Sequence, residues 1–163
     1  MPLQDYRVQS RGGKGVKGVT TKSEDEIALL AVTNTHRTLY LFTTRGRVFG
    51  VKGFTPPEPK TGKGKLINTI ITLEKDERVV AIKDSQLEDA KFVFFITKNG
   101  TAKRLPVEEL DGLTRAGRRV LGLADDDIIS RVRVTNGNDE ILLTTAQGQT
   151  LRVEEEEFRP LGR

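Results

Sequence analysis

The apolar residues of this chain fall in short runs of about four to eight, many of them β-branched or aromatic, bounded by Gly, Asn and Asp. None of the runs has the 3.6-residue period of an amphipathic helix, so the pattern predicts β-strands. Three segments share one layout, in which an apolar run is followed by Thr-x-x-Gly and a second short run; they begin at Leu39, Phe92 and Ile141. The glycine between the two runs is expected to form a hairpin turn, which favours positive φ.

Two further sets of markers recur in the same order. Acidic residues at Asp25, Asp76 and Asp126 open apolar runs and are spaced by 51 and 50 residues, and each is preceded by a segment rich in Gly and basic residues. The repeats are expected at about 9–59, 60–112 and 113–163. The predicted strands are Val16–Thr20, Glu26–Thr33, Leu39–Thr44, Arg47–Val51, Leu66–Thr72, Arg78–Ile82, Phe92–Thr97, Thr101–Leu105, Val120–Ala124, Ile128–Val134, Ile141–Thr145 and Gln149–Val153.

Four strands in about 50 residues is the size of a propeller blade, so we expect a single all-β domain over residues 1–163, of β-propeller type, with three four-stranded blades. A propeller normally closes with about four to eight blades. Three blades leave two open sheet faces, which predicts either pairing of two chains into a six-bladed ring or continuation in a longer chain.

The amino-acid composition excludes several kinds of covalent and metal site. The 163 residues include no Cys, no Trp and a single histidine, His36, which excludes disulfides, thiolate zinc sites and any metal site with two imidazoles. No apolar run approaches the length of a membrane span, and the N-terminus has no signal-peptide region, so we expect a cytoplasmic protein that does not associate with membranes.

The positive charge is unevenly distributed. Lys and Arg exceed Asp and Glu by 27 to 23 overall, but by 12 to 5 in residues 1–65, whereas they are outnumbered by 15 to 18 in the remainder. Such asymmetry favours a polyanionic partner. The chain has seven Phe, two Tyr and no Trp, and the Phe residues fall in or at the ends of strands, so duplex is favoured over single-stranded nucleic acid.

Residues 9–15 read Gln-Ser-Arg-Gly-Gly-Lys-Gly. This heptad resembles the gyrase box, Gln-[Arg/Lys]-Arg-Gly-Gly-[Arg/Lys]-Gly, of the C-terminal domains of DNA gyrase A subunits, which are part of bacterial type IIA topoisomerases. It departs from the box at Ser10, where the family has a basic residue, and so lacks one phosphate contact. The Thr-x-x-Gly hairpins, clearest at 97–106, resemble the blade repeat of that family, so the resemblance covers the whole chain.

The resemblance implies a β-pinwheel, a propeller-like disc of about six blades in which neighbouring blades exchange a strand and the rim binds and bends duplex DNA. This chain would be its first half. The implied function is wrapping of DNA without sequence specificity in support of negative supercoiling, with no catalysis and no cofactor in this chain. The implied partners are duplex DNA, the gyrase catalytic core if the chain is a fragment, and a second copy completing the ring; the implied location is the nucleoid.

Wrapping of this kind requires many cations on one surface, together with glycines that let the backbone approach phosphates and donate N–H groups. The candidate DNA-binding residues in the box are Gln9, Arg11, Gly12, Gly13, Lys14 and Gly15. Those in or beside the other repeat loops are Lys17, Arg45, Arg47, Lys63, Lys65, Lys103, Arg104, Arg118 and Arg119.

Other interpretations of the same residues remain open. The chain could be a propeller-like protein-interaction module with incidental basic charge, or a nucleotide-binding enzyme built on the Gly/Lys loop. Gly13-x-Gly15-x-x-Gly18 matches the dinucleotide fingerprint in form, but no helical pattern follows it. The acidic run 125–127 is expected to be a solvated turn rather than a cation site. The run 154–157 could repel DNA, restrain its binding or simply solubilise the chain end.

Overall fold

The computed structural model describes residues 7–15, 26–57 and 64–160, and they form strands, turns and three short 3-10 helices. The strands are β1 (Thr38–Thr43), β2 (Arg47–Lys52), β3 (Val79–Asp84), β4 (Phe92–Thr97), β5 (Ala102–Pro106), β6 (Arg118–Arg119), β7 (Ile129–Thr135), β8 (Glu140–Thr144) and β9 (Thr150–Glu154). The 3-10 helices are Ile67–Thr69, Val107–Leu110 and Glu155–Glu157.

Each of the three Thr-x-x-Gly segments is the turn of an antiparallel hairpin: β1–β2, β4–β5 and β8–β9. The turn glycines Gly46, Gly100 and Gly148 have φ of +73°, +86° and +83°. Residues with a Cβ atom rarely adopt such angles, so the glycine is needed to reverse the chain within so few residues.

The hairpins are joined into sheets by strands from later repeats. β3 pairs with β1 and β6 with β2, which gives a four-stranded sheet in the order β3-β1-β2-β6. In the same way β7 pairs with β4, which gives the sheet β5-β4-β7, whereas β8 and β9 form a sheet of two strands. Neighbouring repeats are therefore held together by backbone hydrogen bonds as well as by side-chain packing.

The strands β3 and β7, which pair with the first strands of the first two hairpins and are called the joining strands, have the same irregularity at the same place. The register of β3 on β1 shifts between Phe42 and Thr43, and the register of β7 on β4 shifts between Ile96 and Thr97. A β-bulge at equivalent positions shows that the strand exchange repeats in geometry as well as in order.

The main hydrophobic core lies between the first and second sheets. Phe42 of β1 and Phe95 of β4 are almost fully buried there, and their rings meet edge to face with centroids 5.8 Å apart. The opposite side of the first sheet, at Leu41, Phe49 and Val51, is covered by Ile71. The core clusters of the described residues contain no side chain from β8 or β9.

The prediction of an all-β chain is confirmed, but three of the predicted strands are wrong. Residues 26–33 have no sheet partner among the described residues, residues 66–72 form a 3-10 helix and a turn, and residues 120–124 are irregular. The backbone at Val120 and Leu121 donates instead to the carbonyl of Gly46. Only the first sheet has the expected four strands within the described residues. The predicted strand at 16–20 lies outside them.

We predict that Phe95→Ala lowers the free energy of unfolding by about 3–5 kcal/mol, because it removes a buried ring from the contact between two sheets and leaves a cavity. Phe54→Ala is the matched control, since Phe54 is 70% exposed. Denaturant unfolding followed by circular dichroism measures both. Equal effects of the two substitutions would contradict the assignment of the core.

Candidate nucleic-acid interface

Residues 9–15 form an exposed loop that is closed by its own hydrogen bonds. The Gly13 N–H donates to the Ser10 carbonyl at 3.0 Å, and the Gly15 N–H donates to Gln9 Oε1 at 2.8 Å. Gly12 and Gly15 have φ of +91° and +70°, and a Cβ on Gly13 would lie 2.3 Å from Gln9 Oε1. Two glycines are therefore required by backbone conformation and the third by close approach of the Gln9 side chain.

The two cations of this loop have no internal partner among the described residues. Arg11 and Lys14 are exposed, and within the described residues neither side chain makes a hydrogen bond or an ion pair. Gln9 has a different role, because its carbonyl oxygen is already bonded to the loop backbone. The side chain of Gln9 thus holds the shape of the loop, while Arg11 and Lys14 supply its positive charge.

A buried carboxylate links each of the first two hairpin turns to the repeat that follows. Glu77 Oε1 accepts from Thr43 Oγ1 at 2.5 Å, and Glu77 is 5% exposed. Asp127 takes the equivalent place at the second hairpin, where it accepts from the side chain of Thr97 and from the Asn99 N–H. Each acid precedes a joining strand and bonds to the threonine of the preceding Thr-x-x-Gly turn.

This arrangement corrects the expectation that residues 125–127 form a solvated turn. Asp125 and Asp126 are exposed, but Asp127 is buried and engaged in several hydrogen bonds. Asp76 and Asp126 have φ of +62° and +65°, so they reverse the chain in front of the buried acid. Within the described residues no group of three or more His, Cys, Asp or Glu side chains could hold a metal ion.

Arg47 and Arg104, two of the predicted DNA contacts, pair with acids inside the fold. The side chain of Arg47 is 15% exposed, lies over the Phe49 ring and pairs with Glu77 at 2.9 Å. Arg104 is 8% exposed, lies over the Phe92 ring and approaches Glu155 at 3.8 Å. Both guanidinium groups neutralise buried carboxylates, so neither is free to neutralise a phosphate.

Arg118, a third predicted DNA contact, also turns inward. It is half-buried and donates to the Glu109 carbonyl, and its Nε atom is buried without a hydrogen-bond partner among the described residues. Arg47, Arg104 and Arg118 are therefore all held against the fold and are not available to an external anion.

One glutamate of the acidic run at 154–157 has a structural role. Glu155 is fully buried and accepts from Thr135 Oγ1 at 2.6 Å and from the Gly137 N–H at 3.1 Å. It thus attaches the end of β9 to the end of β7. The other three glutamates of the run are at least partly accessible to solvent.

The remaining predicted contacts are more accessible. Lys65 and Arg119 are exposed. Arg45 is exposed but lies 3.9 Å from Glu74, and Lys103 is half-buried with its Nζ 3.4 Å from the Gly122 carbonyl. Lys17 and Lys63 lie outside the described residues.

Two arginines on β7 were not predicted as contacts. Arg131 and Arg133 donate only to neighbouring backbone carbonyls, and neither has an acidic partner among the described residues. Burial and the nearby charge of Arg133 lower the pKa of Lys83 on β3. The alternation Arg-Val-Arg-Val at 131–134 is the sequence signal for these cations, since it places both arginines on one strand face. The predicted contacts outside the box were confined to repeat loops and their flanks, whereas this pair lies within a strand.

Comparison with known proteins gives the class of this fold. A family model described as the DNA gyrase C-terminal domain, beta-propeller, matches residues 1–34, 91–136 and 139–163, which is well over half of the chain. The predicted β-propeller type of architecture is thereby confirmed. The chain belongs to the DNA gyrase C-terminal domain family.

Individual relatives agree with this assignment. The chain is 57% identical over 161 residues to the DNA gyrase A protein of Aminobacterium colombiense and 37% identical over 167 residues to that of Staphylococcus aureus. These matches cover 99% and 100% of this chain but only 20% and 19% of the relatives. The chain thus spans about a fifth of their length.

Solved structures with the same fold are C-terminal domains of DNA topoisomerase IV and of DNA gyrase A. The C-terminal domain of DNA topoisomerase IV superimposes with a TM-score of 0.76 at 25% identity, over 88% of this chain and 45% of that chain. A DNA gyrase A C-terminal domain superimposes with a TM-score of 0.70 at 21% identity, over all of this chain and 53% of that one.

In the described residues no helix is long and apolar enough to cross a membrane.

The bonding of Asp127 predicts a pH dependence of stability. Burial raises the pKa of its carboxyl, but hydrogen bonds from Thr97 and from three backbone N–H groups more than offset this and lower the pKa overall. The native pKa therefore lies below the unfolded value of about 3.9. The stabilisation by the carboxylate is present above that value and is lost as the pH falls through the native pKa.

We expect Asp127→Asn to lower the Tm at pH 7, and the difference from the wild type to shrink as the pH is taken below about 4. Thermal unfolding from pH 7 to pH 2.5 measures this difference. Asp125→Asn, a change at an exposed neighbour, should leave the Tm almost unchanged throughout. A deficit in Asp127→Asn that stays constant down to the lowest pH would contradict the role of the carboxylate.

Proposed function

We propose that this chain binds and bends duplex DNA through its phosphates, without reading sequence, as the non-catalytic wrapping domain of a gyrase A-type topoisomerase. The observation that carries the proposal is the loop at 9–15, where Arg11 and Lys14 are exposed and unpaired within the described residues on a glycine-rich backbone. Membership of the DNA gyrase C-terminal domain family supports the same conclusion.

The distribution of free and neutralised cations supports binding to backbone phosphates. Arg47 and Arg104 form ion pairs with buried acids. The cations that are accessible to an external anion include those of the 9–15 loop together with Lys65, Arg119, Arg131 and Arg133. Lys and Arg side chains that lack internal acidic partners release counterions from DNA when they bind, which favours association. Phosphate contacts of this kind position a protein on the duplex without reading the bases.

The proposed role also defines the partners. The catalytic chemistry would reside in other parts of the gyrase, and this domain would present a bent DNA segment to that core in support of negative supercoiling. A second copy of the chain is a further proposed partner. Binding to chromosomal DNA would place the protein at the nucleoid in the cytoplasm.

We predict that the double variant Arg11→Ala, Lys14→Ala weakens DNA binding and abolishes bending, with no change in Tm, because both side chains are exposed and make no bond within the described residues. A titration of binding against salt should show a log–log slope reduced in magnitude by about 1.8, or about 0.9 for each phosphate that is no longer neutralised. Filter binding to a duplex gives the slope, and ligation of a short duplex into minicircles reports the bending.

The matched control is Lys52→Ala, Arg152→Ala, which also removes two positive charges. Lys52 bonds to Thr38 and Arg152 to Glu140, so these cations have partners inside the protein. The control should retain the wild-type slope and most of the bending. Unchanged slope and bending in the folded Arg11, Lys14 variant would refute the DNA interface, and a shallow slope in the wild type would favour a protein-interaction module.

A separate prediction concerns Gln9, which shapes the loop. Gln9→Ala removes the acceptor of the Gly15 N–H and should lower DNA affinity about threefold to tenfold, since a bond of this kind contributes about 0.5–1.5 kcal/mol. Because the phosphate contacts of Arg11 and Lys14 remain, the salt slope should stay at the wild-type value. The same filter-binding titration distinguishes the two outcomes, and a reduced slope would show that Gln9 contacts the DNA itself.

A further inference from the structure

A small cavity lies between the first sheet and the 3-10 helix that follows β5. Its volume is about 230 Å³, and it is lined by Tyr40, Ser85, Leu87, Val107, Glu108 and Asp111. One water molecule takes up about 30 Å³ in the liquid, so the cavity can hold several waters or one small organic molecule. None of its lining residues belongs to the DNA interface proposed above.

The hydroxyl of Tyr40 has no hydrogen-bond partner among the described residues. Tyr40 is 9% exposed, and its ring belongs to the main hydrophobic core. A buried tyrosine usually bonds its hydroxyl, because an unpaired polar group away from water costs free energy. The fully enclosed unpaired atoms of the described residues belong to Arg104 and Arg118, so the Tyr40 hydroxyl still reaches the cavity that this residue lines.

The second hairpin shows that packing does not require a hydroxyl at this position. Tyr40 and Phe94 each lie three residues before the threonine of a Thr-x-x-Gly turn. The Phe94 ring meets Phe158 edge to face, with the centroids 5.0 Å apart. Phe158 lies ten residues after the third turn glycine, and Leu110, in the same core cluster as Tyr40, lies ten residues after the second. An apolar ring therefore satisfies the fold, and the polar group of Tyr40 is an addition to it.

Two carboxylates line the same cavity. Glu108 is in the 3-10 helix and Asp111 follows directly after it, and side chains three residues apart in a 3-10 helix eclipse each other. Within the described residues neither carboxylate makes an ion pair or a hydrogen bond. Burial and the negative charge of Asp111 raise the pKa of the Tyr40 hydroxyl, so this acid lies close to the phenol, which stays neutral at pH 7.

The nearby cations do not neutralise these acids. Lys83 faces Tyr40 across the β1–β3 ladder but does not line the cavity, and burial and the charge of Arg133 lower its pKa. Arg118 donates to the carbonyl of Glu109. Among the described residues, no Lys or Arg pairs with a carboxylate of the cavity, which therefore keeps its negative charge.

We propose that this cavity binds the ammonium group of a primary alkylamine. An ammonium group has three N–H donors and no acceptor. The cavity offers three acceptors, the carboxylates of Glu108 and Asp111 and the hydroxyl oxygen of Tyr40, and bonds from an ionised donor to a carboxylate are strong. Leu87 and Val107 supply an apolar wall for the alkyl chain. This site is separate from the cationic loop and does not rest on DNA binding.

The same groups are poorly suited to other ligands. Calcium takes about six to eight oxygen ligands, and the described residues contain no group of three or more His, Cys, Asp or Glu that could hold a metal ion. An anion would be repelled by both carboxylates. A neutral alcohol would leave their charge uncompensated, so the chemistry of the cavity favours an organic cation with N–H donors.

The tyrosine of the cavity is a direct reporter of binding. The chain has two tyrosines and no tryptophan, so Tyr6→Phe leaves Tyr40 as the only tyrosine. Titration of this variant with butylammonium chloride should change the tyrosine fluorescence along a saturating single-site curve. Sodium chloride at the same ionic strength and butanol should leave the fluorescence unchanged. The absence of a saturable change, or an equal change with butanol, would overturn the proposal.

Asp111→Asn in the Tyr6→Phe chain tests the charge of the cavity. It should weaken butylammonium binding about fivefold, the upper end of what an exposed ion pair contributes. The matched control is Asp125→Asn, because Asp125 is also exposed but does not line the cavity. The control should keep the affinity of the parent chain, and equal affinities in the two variants would overturn the assignment of the site.

Tyr40→Phe distinguishes a ligand-binding hydroxyl from a structural one. Without amine its Tm should equal or exceed that of the wild type, because the hydroxyl makes no bond within the described residues and the ring is retained. Butylammonium should raise the wild-type Tm by mass action and raise the Tm of the variant less at the same concentration. A Tm that falls in the absence of amine would show that the fold needs the hydroxyl, and would overturn its assignment as a ligand group.

Free amines and the lysine side chains of other polypeptides both carry a primary ammonium group. A parallel titration with Nα-acetyl-lysine amide distinguishes these sources. Binding tighter than that of butylammonium would support the site and identify its ligand as a lysine of a polypeptide, whereas equal or weaker binding would support a free amine. Failure of both compounds to bind would overturn the proposal.

Discussion

The architecture depends on strands from the second and third repeats, β3 and β7, each of which completes the sheet of the repeat before it. A buried carboxylate fixes this exchange at the first two hairpin turns, with Glu77 bonded to Thr43 and Asp127 to Thr97. A carboxylate away from water is costly unless its oxygens are hydrogen-bonded, so the geometry of the turn and the register of the strand are selected together. Two interactions, a backbone ladder and a buried acid, thus specify the same junction.

The same acids divide the arginines of the chain into two populations. Arg47 and Arg104 lie over aromatic rings and beside Glu77 and Glu155, where they compensate buried negative charge. Removing one member of such a pair would leave an uncompensated charge in the interior. The cations without internal acidic partners remain available to solvent, so the electrostatics of the core decide which cations are left for a polyanion.

The loop at 9–15 illustrates how a short polar segment can be preorganised. Its glycines permit positive φ and close packing of the Gln9 side chain, whose oxygen bonds to the Gly15 N–H. The backbone is shaped by residues that carry no charge, and within the described residues the side chains of Arg11 and Lys14 are left without bonds. Preorganisation of this kind reduces the conformational entropy that a loop gives up when it binds a ligand.

The sequence alone determined the all-β class, the three hairpins, their glycine turns and the cationic loop, because these depend on local alternation and on the φ preference of glycine. Only the tertiary structure decided which strands pair and which arginines are exposed. Residues 26–33 and 129–135 carry similar patterns, yet only the second segment has a hairpin edge beside it among the described residues of the same chain. Likewise Arg104 and Arg119 look alike in sequence, and Arg104 is turned inward by Glu155, a residue 51 positions away. Contacts over such separations leave no local signal, and for that reason pairing and charge exposure could not be read from the chain.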